Sequence, residues 1–439
     1  MSKIGLRLET IGTFVALLVL LQYSNSGAIR YYLVSVGASA LYNLPDLLAV
    51  LMVFIAIFMG IFTRTTQFDK RACFAFAGLL LMGVAIGYIN TRSVVSVTVA
   101  FKMVSIFLFG YFYSNSVRNL SKYWIILLIA YGAQAAAIYF DQFMEFPWKN
   151  FSFEVMGQAR VASKQWWAGG QERIAGLSFE NTATAFAMLG MHHLIFNRPG
   201  SNRLINLLMY GVTIYAIYLT TSKTALICAV VLAAKDFIIL FMRKPVQLAV
   251  TKYGANVLLA LVIIIPLVSV TLITSAPDIA YLNSWYDRAT RTWLAPLELM
   301  WNISPISFLT GMGLGMVDYP IGYSAMRDSF ISYDNFLLGT AMMFGVPFAM
   351  LVYWQMISKI RILPDRDKFF FACLCLYGIF VGCYGAPLFA ILAGSFYGYR
   401  RLQEKAPSTP ELANSAPLRQ RPQLPLRPRP PLEPRRPQG

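Results

Sequence analysis

The chain has 439 residues, of which 57% are apolar, 15% aromatic and only 13% charged, whereas roughly 25% of residues are charged in an average soluble domain. This composition excludes a soluble globular enzyme and indicates an integral membrane protein. The net charge of +17 falls mostly in short loops and in the C-terminal tail, which favours a membrane-orientation signal over a nucleic-acid-binding surface.

The N-terminal segment is predicted to be an uncleaved first span. Lys3 and Arg7 precede an apolar run over 11–21, which alone would resemble a cleaved signal peptide. Because many apolar segments follow, retention as a span is the better interpretation. The next stretch, 29–44, is apolar but short and contains Arg30, so it is predicted to be interfacial or re-entrant.

A transmembrane helix needs about 20 predominantly apolar residues, and the rest of the chain offers many such windows. The segment 369–398 is punctured by a Gly/Pro-rich stretch and is predicted to form two short spans. With the first span this gives an all-α polytopic bundle of about 12 transmembrane helices within residues 1–401. The single-span windows are roughly 46–63, 71–90, 94–113, 122–142, 178–196, 203–220, 223–242, 255–274 and 335–357.

Loop charge predicts the orientation of these spans. Two long loops, 143–177 and 275–334, alternate with five short basic loops, so the basic loops share one side of the membrane. The positive-inside rule makes that side cytoplasmic. The long loops, with short helices expected in them, are therefore periplasmic, and both termini are cytoplasmic in a bacterial inner membrane. The basic loops are 64–71, 114–122, 197–203, 243–252 and 358–368.

Three further features narrow the chemistry. The histidines, His192 and His193, lie inside a predicted span, which excludes a histidine-dependent mechanism in a loop. Residues 406–439 hold ten of the 22 prolines and six arginines, so 402–439 are predicted to be a disordered cytoplasmic tail, either solvated, docking or in contact with anionic lipid. The cysteines all lie in apolar segments and indicate core packing rather than disulfides or a metal site: Cys73, Cys228, Cys373, Cys375 and Cys383.

The loop 275–334 carries the strongest candidates for chemistry. Arg288 and Arg291 are one turn apart on a predicted short helix ending near Ile303, where two guanidinium groups could bind diphosphate oxygens. A lipid headgroup contact or a salt bridge to Asp287 is the structural alternative. Asp334 stands where the loop re-enters the membrane, as a partly desolvated general base or as a helix N-cap.

Glycine and acidic residues complete the pattern. The run Gly311-x-Gly313-x-Gly315 has no strand-turn-helix context, so a tight turn or close backbone approach is predicted rather than a nucleotide site. Glu180 opens a span, where it either serves function or favours the helix dipole. The loop 143–177 adds further polar and aromatic candidates: Arg160, Lys164, Trp166, Trp167, Glu172 and Arg173.

Together these segments resemble the membrane family of O-antigen ligases and Wzy-type polysaccharide polymerases. The first match is Arg173-x-x-Gly176-x-x-Phe179-Glu180, similar to the family's arginine-glycine motif. The second, Thr221 to Ala225, is similar to its Ser-Arg-Gly/Ala element, with Lys223 in place of arginine. The third is the outer loop itself, matched at Arg288, Arg291, Trp293, Pro305, Gly311, Gly313, Gly315, Asp334, Asn335 and Gly345.

The resemblance implies transfer of a glycan from undecaprenyl diphosphate to an acceptor sugar hydroxyl by a metal-independent inverting glycosyltransferase without a cofactor. Arg173, Arg288 and Arg291 would stabilise the leaving diphosphate, and Asp334 would take the acceptor proton. Glu180 would orient the acceptor or an arginine. The residues expected to bind substrate are Arg160, Lys223, Trp166, Trp167 and Asn335.

The ligases typically have His-Asn at the position of Asp334-Asn335, which favours a polymerase that joins lipid-linked repeat units of an O-antigen or exopolysaccharide. An O-antigen ligase acting on lipid A core is the alternative enzyme, and a transporter or flippase is the alternative non-enzyme. A transporter would place charges at mid-membrane, where this chain has chiefly Lys102 and Asp236. Membrane lipids and polysaccharide export or chain-length proteins are the other expected partners.

Overall fold

A computed structural model of the chain describes residues 3–63, 68–155, 158–165, 167–168, 170–196, 198, 200–272, 283–329, 333–382 and 384–400. Residues Met1–Arg400 form one compact unit, and the structure is mostly helical (77%), with almost no sheet. The predicted tail, Trp166 and Cys383 lie outside the described residues.

The helices follow the apolar windows of the sequence closely. In chain order they are α1 Lys3–Ser24, α2 Ser26–Ser35, α3 Leu44–Phe62, α4 Lys70–Thr91, α5 Val94–Phe112, α6 Ser114–Arg118, α7 Trp124–Phe140, α8 Asn181–Phe196, α9 Arg203–Leu219, α10 Lys223–Phe241, α11 Lys244–Ala249, α12 Ala255–Leu272, α13 Asn283–Asp287, α14 Ala295–Ile303, α15 Ser307–Thr310, α16 Phe336–Phe344, α17 Val346–Ile362, α18 Asp365–Tyr377 and α19 Pro387–Tyr397.

Six of the described helical segments are long and apolar enough to cross a membrane, which indicates a membrane protein. A bent pair, Arg7–Ser24 with Ser26–Ser35, could supply a seventh span. The other predicted windows form shorter helices in the described part of the chain, so the structure supports a polytopic helical bundle. The six segments are Ser39–Phe62, Lys70–Thr91, Val94–Phe112, Ser114–Phe140, Lys223–Phe241 and Lys244–Leu272.

Glycine explains one of the broken windows. The predicted span 335–357 is divided at Gly345, which has φ 92° and separates α16 from α17. A Cβ at this position would lie 2.1 Å from the carbonyl oxygen of Leu309, so only glycine fits the break. In the segment 369–398, α18 ends at Tyr377 and α19 begins at Pro387, so the predicted Gly/Pro interruption is present.

The segment 29–44 begins within α2 and ends in a 3-10 turn over Ser39–Asn43, and α2 bends away from α1 by 87°. The bend lets the backbone of Gly27 and Ala28 donate to the Leu177 carbonyl, at 2.9 and 3.1 Å. Gly27 has no room for a side chain, because a Cβ would lie 2.6 Å from the Ser178 oxygen. The start of the chain therefore supports the end of the first long loop.

The first long loop contains strands instead of the predicted short helices. Strand β1 (Ser152–Val155) pairs antiparallel with β2 (Gln158–Val161), and β3 (Trp167–Ala168) pairs antiparallel with β4 (Gln171–Glu172). Gly170, with φ 78°, lies in the turn of the second hairpin. Short runs of polar and β-branched residues between turn residues suit hairpins better than helices. The second long loop does contain short helices, as predicted.

The run of three glycines inserts into the helical body. Gly311, Gly313 and Gly315 all have positive φ, at 76°, 83° and 97°. The Leu314 amide donates to the Gly83 carbonyl of α4 at 2.8 Å, and the Met312 amide to the Met342 carbonyl. The glycines therefore allow both a tight backbone and close approach to helices, as the sequence predicts.

Gly313→Ala is expected to destabilise the protein strongly. A Cβ on Gly313 would lie 2.0 Å from the Gly87 amide nitrogen, which is a severe clash. The left-handed backbone would cost an alanine roughly 1–2 kcal/mol as well. Gly170→Ala is the matched control, because it has the same sign of φ and no atom within 4 Å. Thermal unfolding in detergent should show a much larger loss for Gly313→Ala. Equal losses would contradict the close approach to α4.

The charges predicted at mid-span are paired. Lys102 Nζ lies 2.9 Å from Asp46 Oδ2, and Lys235 Nζ lies 2.6 Å from Asp236 Oδ1. Asn206 also donates to Asp236, at 2.5 Å. Each charge therefore has a structural partner, which is how polar groups are tolerated within an apolar bundle.

Candidate active site

The two long loops contact each other directly. Arg160 Nη2 of the first loop donates to the Tyr323 hydroxyl of the second at 3.0 Å. The Arg160 guanidinium also lies over the rings of Tyr319 and Tyr323, at 5.5 and 5.3 Å from their centroids. Residues separated by some 160 positions in the sequence therefore form one surface.

The end of the first loop is held rigidly. The Gly176 amide donates to Asp141 Oδ2 at 3.1 Å, and Trp148 Nε1 donates to the Gly176 carbonyl at 2.8 Å. Two residues later the Ser178 hydroxyl donates to the Ser24 carbonyl. These bonds fix the backbone between Arg173 and Glu180, the two ends of the arginine-glycine motif.

Arg173 and Arg288 come together from separate loops. Burial, and then the positive charge of Arg288, lower the pKa of the Arg173 guanidinium from its ordinary value. Two like charges that act on each other repel, and an anion between them would relieve the repulsion. Guanidinium groups suit phosphate oxygens, so the pair can bind a phosphate-bearing ligand.

Arg288 also pairs with the predicted base. Its Nη2 lies 3.2 Å from Asp334 Oδ2, with both side chains about a quarter exposed, and its Nη1 donates to the Ser284 carbonyl at 3.0 Å. Its guanidinium lies 5.8 Å from the centroid of the Phe380 ring. The Nε atom is buried without a hydrogen-bond partner among the described residues.

Asn335, rather than Asp334, is the N-cap of α16. The Asn335 side chain accepts from the amides of Leu337 and Leu338, at 2.9 and 3.2 Å. The N-cap, which was the structural alternative predicted for Asp334, is therefore Asn335. This leaves the Asp334 carboxylate directed at Arg288, while Asn335, predicted to bind substrate, serves the helix.

The surroundings of Asp334 suit a base. Burial raises the pKa of the Asp334 carboxyl above its ordinary value, Arg288 lowers it, and the negative charges of Asp287 and Glu180 raise it further. Glu180 accepts a hydrogen bond from the Thr182 hydroxyl at 2.9 Å and lies near enough to influence Asp334 by charge.

The structure does not bring Arg291 to this cluster. Residues Arg288–Thr292 form a π-helical turn, in which positions three apart do not share a face. Arg291 is 81% exposed and lies 3.7 Å from Asp287, its i−4 neighbour. The alternative salt bridge to Asp287 is therefore the contact that forms.

Asp318 belongs to the site and was not identified from the sequence. It is partly buried and has φ 60° and ψ −158°, a conformation almost confined to glycine and characteristic of functional strain. Burial raises the pKa of Asp318 to about 6, the Tyr319 amide opposes this, and Glu180 and Asp334 add to it. The three carboxylates therefore share one electrostatic environment.

Arg30 is a second missed residue. Its guanidinium lies 4.9 Å from the centroid of the Phe179 ring, and Lys164 Nζ lies 5.1 Å from the same ring. Lys164 also lowers the pKa of Asp318 by its charge. Two cations therefore flank the residue before Glu180. The sequence signal was the arginine inside the apolar stretch 29–44.

The remaining predicted residues lie around this centre or apart from it. Lys223 is exposed at the start of α10, two residues after Thr221, which has φ 59°. Trp167 is 63% exposed on its hairpin. Glu172 lies 2.8 Å from Lys149 in a salt bridge that includes Asp141, so its contacts are structural.

Asp318→Asn is expected to stabilise the protein at neutral pH. A carboxyl with a raised folded-state pKa contributes stability below its unfolded pKa of 3.8 and loses it as pH rises through about 6. The loss is at most about 3 kcal/mol, and partial exposure lowers it. Asparagine keeps the acceptor for the Tyr319 amide. A lower melting temperature for the variant at pH 7.5 would contradict a strained, desolvated carboxylate.

No model of a known protein family matches this chain, and no curated protein or solved structure matches it either. The site is therefore defined by its own geometry. It has guanidinium groups from two loops, and a carboxylate with a raised pKa lies beside one of these guanidinium groups. Further acidic and cationic side chains surround this centre. Such a set can bind a diphosphate and remove a proton from a neighbouring hydroxyl group.

Proposed function

We propose that this chain is a polysaccharide polymerase that transfers glycan from undecaprenyl diphosphate to an acceptor sugar hydroxyl of another lipid-linked repeat unit. One observation carries the proposal. The Asp334 carboxylate lies 3.2 Å from Arg288, and the charge of Arg288 acts on Arg173, which belongs to a loop more than 100 residues away in the sequence. The resemblance to O-antigen ligases and Wzy-type polymerases supports the substrate class.

The proposed reaction is a single displacement at the anomeric carbon. The acceptor oxygen attacks that carbon, its proton passes to Asp334, and the bond from the carbon to the diphosphate oxygen breaks, with inversion. Negative charge accumulates on the departing diphosphate, where Arg173 and Arg288 stabilise it electrostatically. The fork of donors on each guanidinium suits two phosphate oxygens at once.

The Arg288–Asp334 pair links binding to catalysis. The positive charge of Arg288 lowers the pKa of Asp334, against the effect of burial. A bound diphosphate neutralises that charge, so the pKa of Asp334 rises and the carboxylate becomes a stronger base. The base is therefore activated only when the donor is present.

The same proposal assigns the membrane arrangement. About 12 spans in a bacterial inner membrane would place the two contacting long loops in the periplasm, where the lipid-linked donor is presented, and both termini in the cytoplasm. The mutual contact of the long loops supports a common side. The basic loops also share a side. Three of them contribute an arginine to one cleft at the opposite end of α8: Arg118, Arg198 and Arg366.

A reconstituted reaction tests the function. Purified protein is incubated with an undecaprenyl-diphosphate-linked repeat unit, and the lipid-linked products are separated by length. Glycan lengthened on undecaprenyl diphosphate is expected. Product formed only when lipid A core is supplied would favour the ligase, and no product with either acceptor would contradict a glycan transferase.

A further inference from the structure

The far end of the bundle contains a cationic cleft that the proposed reaction does not use. It has a volume of about 50 Å³, is partly open, and lies among the ends of α6, α8, α18 and α19. Helix α8 begins beside Glu180 and ends at this cleft, so about 24 Å of helix separates it from the candidate active site.

Positive charge exceeds negative charge in the cleft. Three arginines, Arg118, Arg198 and Arg366, line it together with His193 and one carboxylate, Asp367. That carboxylate is already engaged, with Arg118 Nη2 at 2.6 Å and Arg366 Nε at 3.6 Å. Among the described residues that line the cleft, three guanidinium groups face one carboxylate, which leaves this lining with a surplus of positive charge.

The cleft also has an apolar side. Leu194, Leu392 and Phe396 line it beside the arginines. The Arg198 guanidinium lies 4.2 Å from the centroid of the Trp124 ring, and a tryptophan at a helix start is typical of a membrane interface. A ligand with a phosphate at one end and a hydrocarbon chain at the other matches both sides.

We infer that this cleft binds the phosphate headgroup of an anionic membrane lipid. Guanidinium groups bind phosphate oxygens through paired, charge-assisted hydrogen bonds, and basic pockets between helix ends are suited to anionic headgroups. A free phosphate ion presents the same oxygens, so the test separates the two sources.

The full chain is purified in neutral detergent, and its thermal unfolding is followed with dioctanoyl phosphatidic acid, dioctanoyl phosphatidylcholine or inorganic phosphate. Phosphatidic acid is expected to raise the melting temperature more than phosphatidylcholine. Arg198→Gln and Arg366→Gln should each weaken its apparent binding at least roughly tenfold, the factor for one charge-assisted hydrogen bond. Arg118 is left intact, because it pairs with buried Asp367.

Arg203→Gln is the control, since this arginine is exposed at the start of α9 and is not among the residues that line the cleft. The affinity of this variant for phosphatidic acid should be unchanged. If Arg366→Gln does not fold, Arg366→Lys replaces it. This variant keeps the positive charge and should retain part of the wild-type affinity for phosphatidic acid. Equal stabilisation by inorganic phosphate would support the site and assign it to the free ion. Equal binding of both lipids, or unchanged affinity in the arginine variants, would overturn the inference.

Discussion

Arg288→Gln is expected to lower glycan lengthening by a factor of roughly 10² to 10³ while leaving the protein level normal. In the proposed reaction the side chain supplies positive charge at the leaving diphosphate, and it lies 3.2 Å from Asp334. Glutamine removes the charge and the fork of donors. The measurement is the rate of lengthening in the reconstituted reaction, compared at equal amounts of folded protein.

The matched control for Arg288 is Arg327→Gln. Arg327 belongs to the same loop, is 73% exposed and lies 3.7 Å from its neighbour Asp328, so its removal should change the rate less than twofold or so. Equal losses in the two variants would indicate a general charge effect of the loop. Full activity in Arg288→Gln would remove this arginine from the reaction.

Asp334→Asn is expected to lower the rate by a factor of roughly 10² to 10⁴, the usual contribution of a positioned general base. Asparagine has nearly the same shape but cannot accept the acceptor proton. Because Asn335 caps α16, the helix should keep its N-terminal hydrogen bonds in the variant. Asp328→Asn, at a side chain 92% exposed in the same loop, is the control and should be nearly neutral.

The pH profile provides a second test of Asp334. A general base works only as the carboxylate, so the rate should fall as pH decreases through the pKa of Asp334. Burial raises that pKa above its ordinary value of 3.8, and the acid limb should therefore lie above the range of an ordinary aspartate. An acid limb at or below pH 3.8 in the wild type, or an unchanged limb in Asp334→Asn, would contradict this role.

Apolar patterning predicted most helices to within a few residues. The predicted spans 94–113 and 223–242 correspond to Val94–Phe112 and Lys223–Phe241. Such windows have strong signals because their length and composition are set by the bilayer. The number of full-length spans was less predictable, since a break such as Gly345 depends on a tertiary contact with Leu309.

Local spacing could not distinguish Arg288 from Arg291. Both lie in a stretch that sequence periodicity predicts as a regular helix, where three residues make nearly one turn. The π-helical turn over Arg288–Thr292 changes the directions of these side chains, so one reaches Asp334 and the other lies in solvent. Unusual helical turns follow from the surrounding packing and have no reliable sequence pattern.

Asp318 and Arg30 were not identified from the sequence for a different reason. Asp318 follows the glycine run and has no motif around it; its importance comes from a glycine-like backbone conformation and from Glu180 and Asp334, both distant in sequence. Arg30 reaches the site only because α2 bends by 87° from α1. Both depend on long-range contacts that a single sequence does not display.

The most direct test of the account is the affinity of purified protein for undecaprenyl diphosphate in a double-mutant cycle of Arg173→Gln and Arg288→Gln. If both guanidinium groups bind one diphosphate, each single variant should weaken binding at least roughly tenfold. Their effects should also be coupled in the double variant. Wild-type affinity in both single variants, or independent effects that simply add, would contradict convergence of the two loops on one lipid-borne diphosphate.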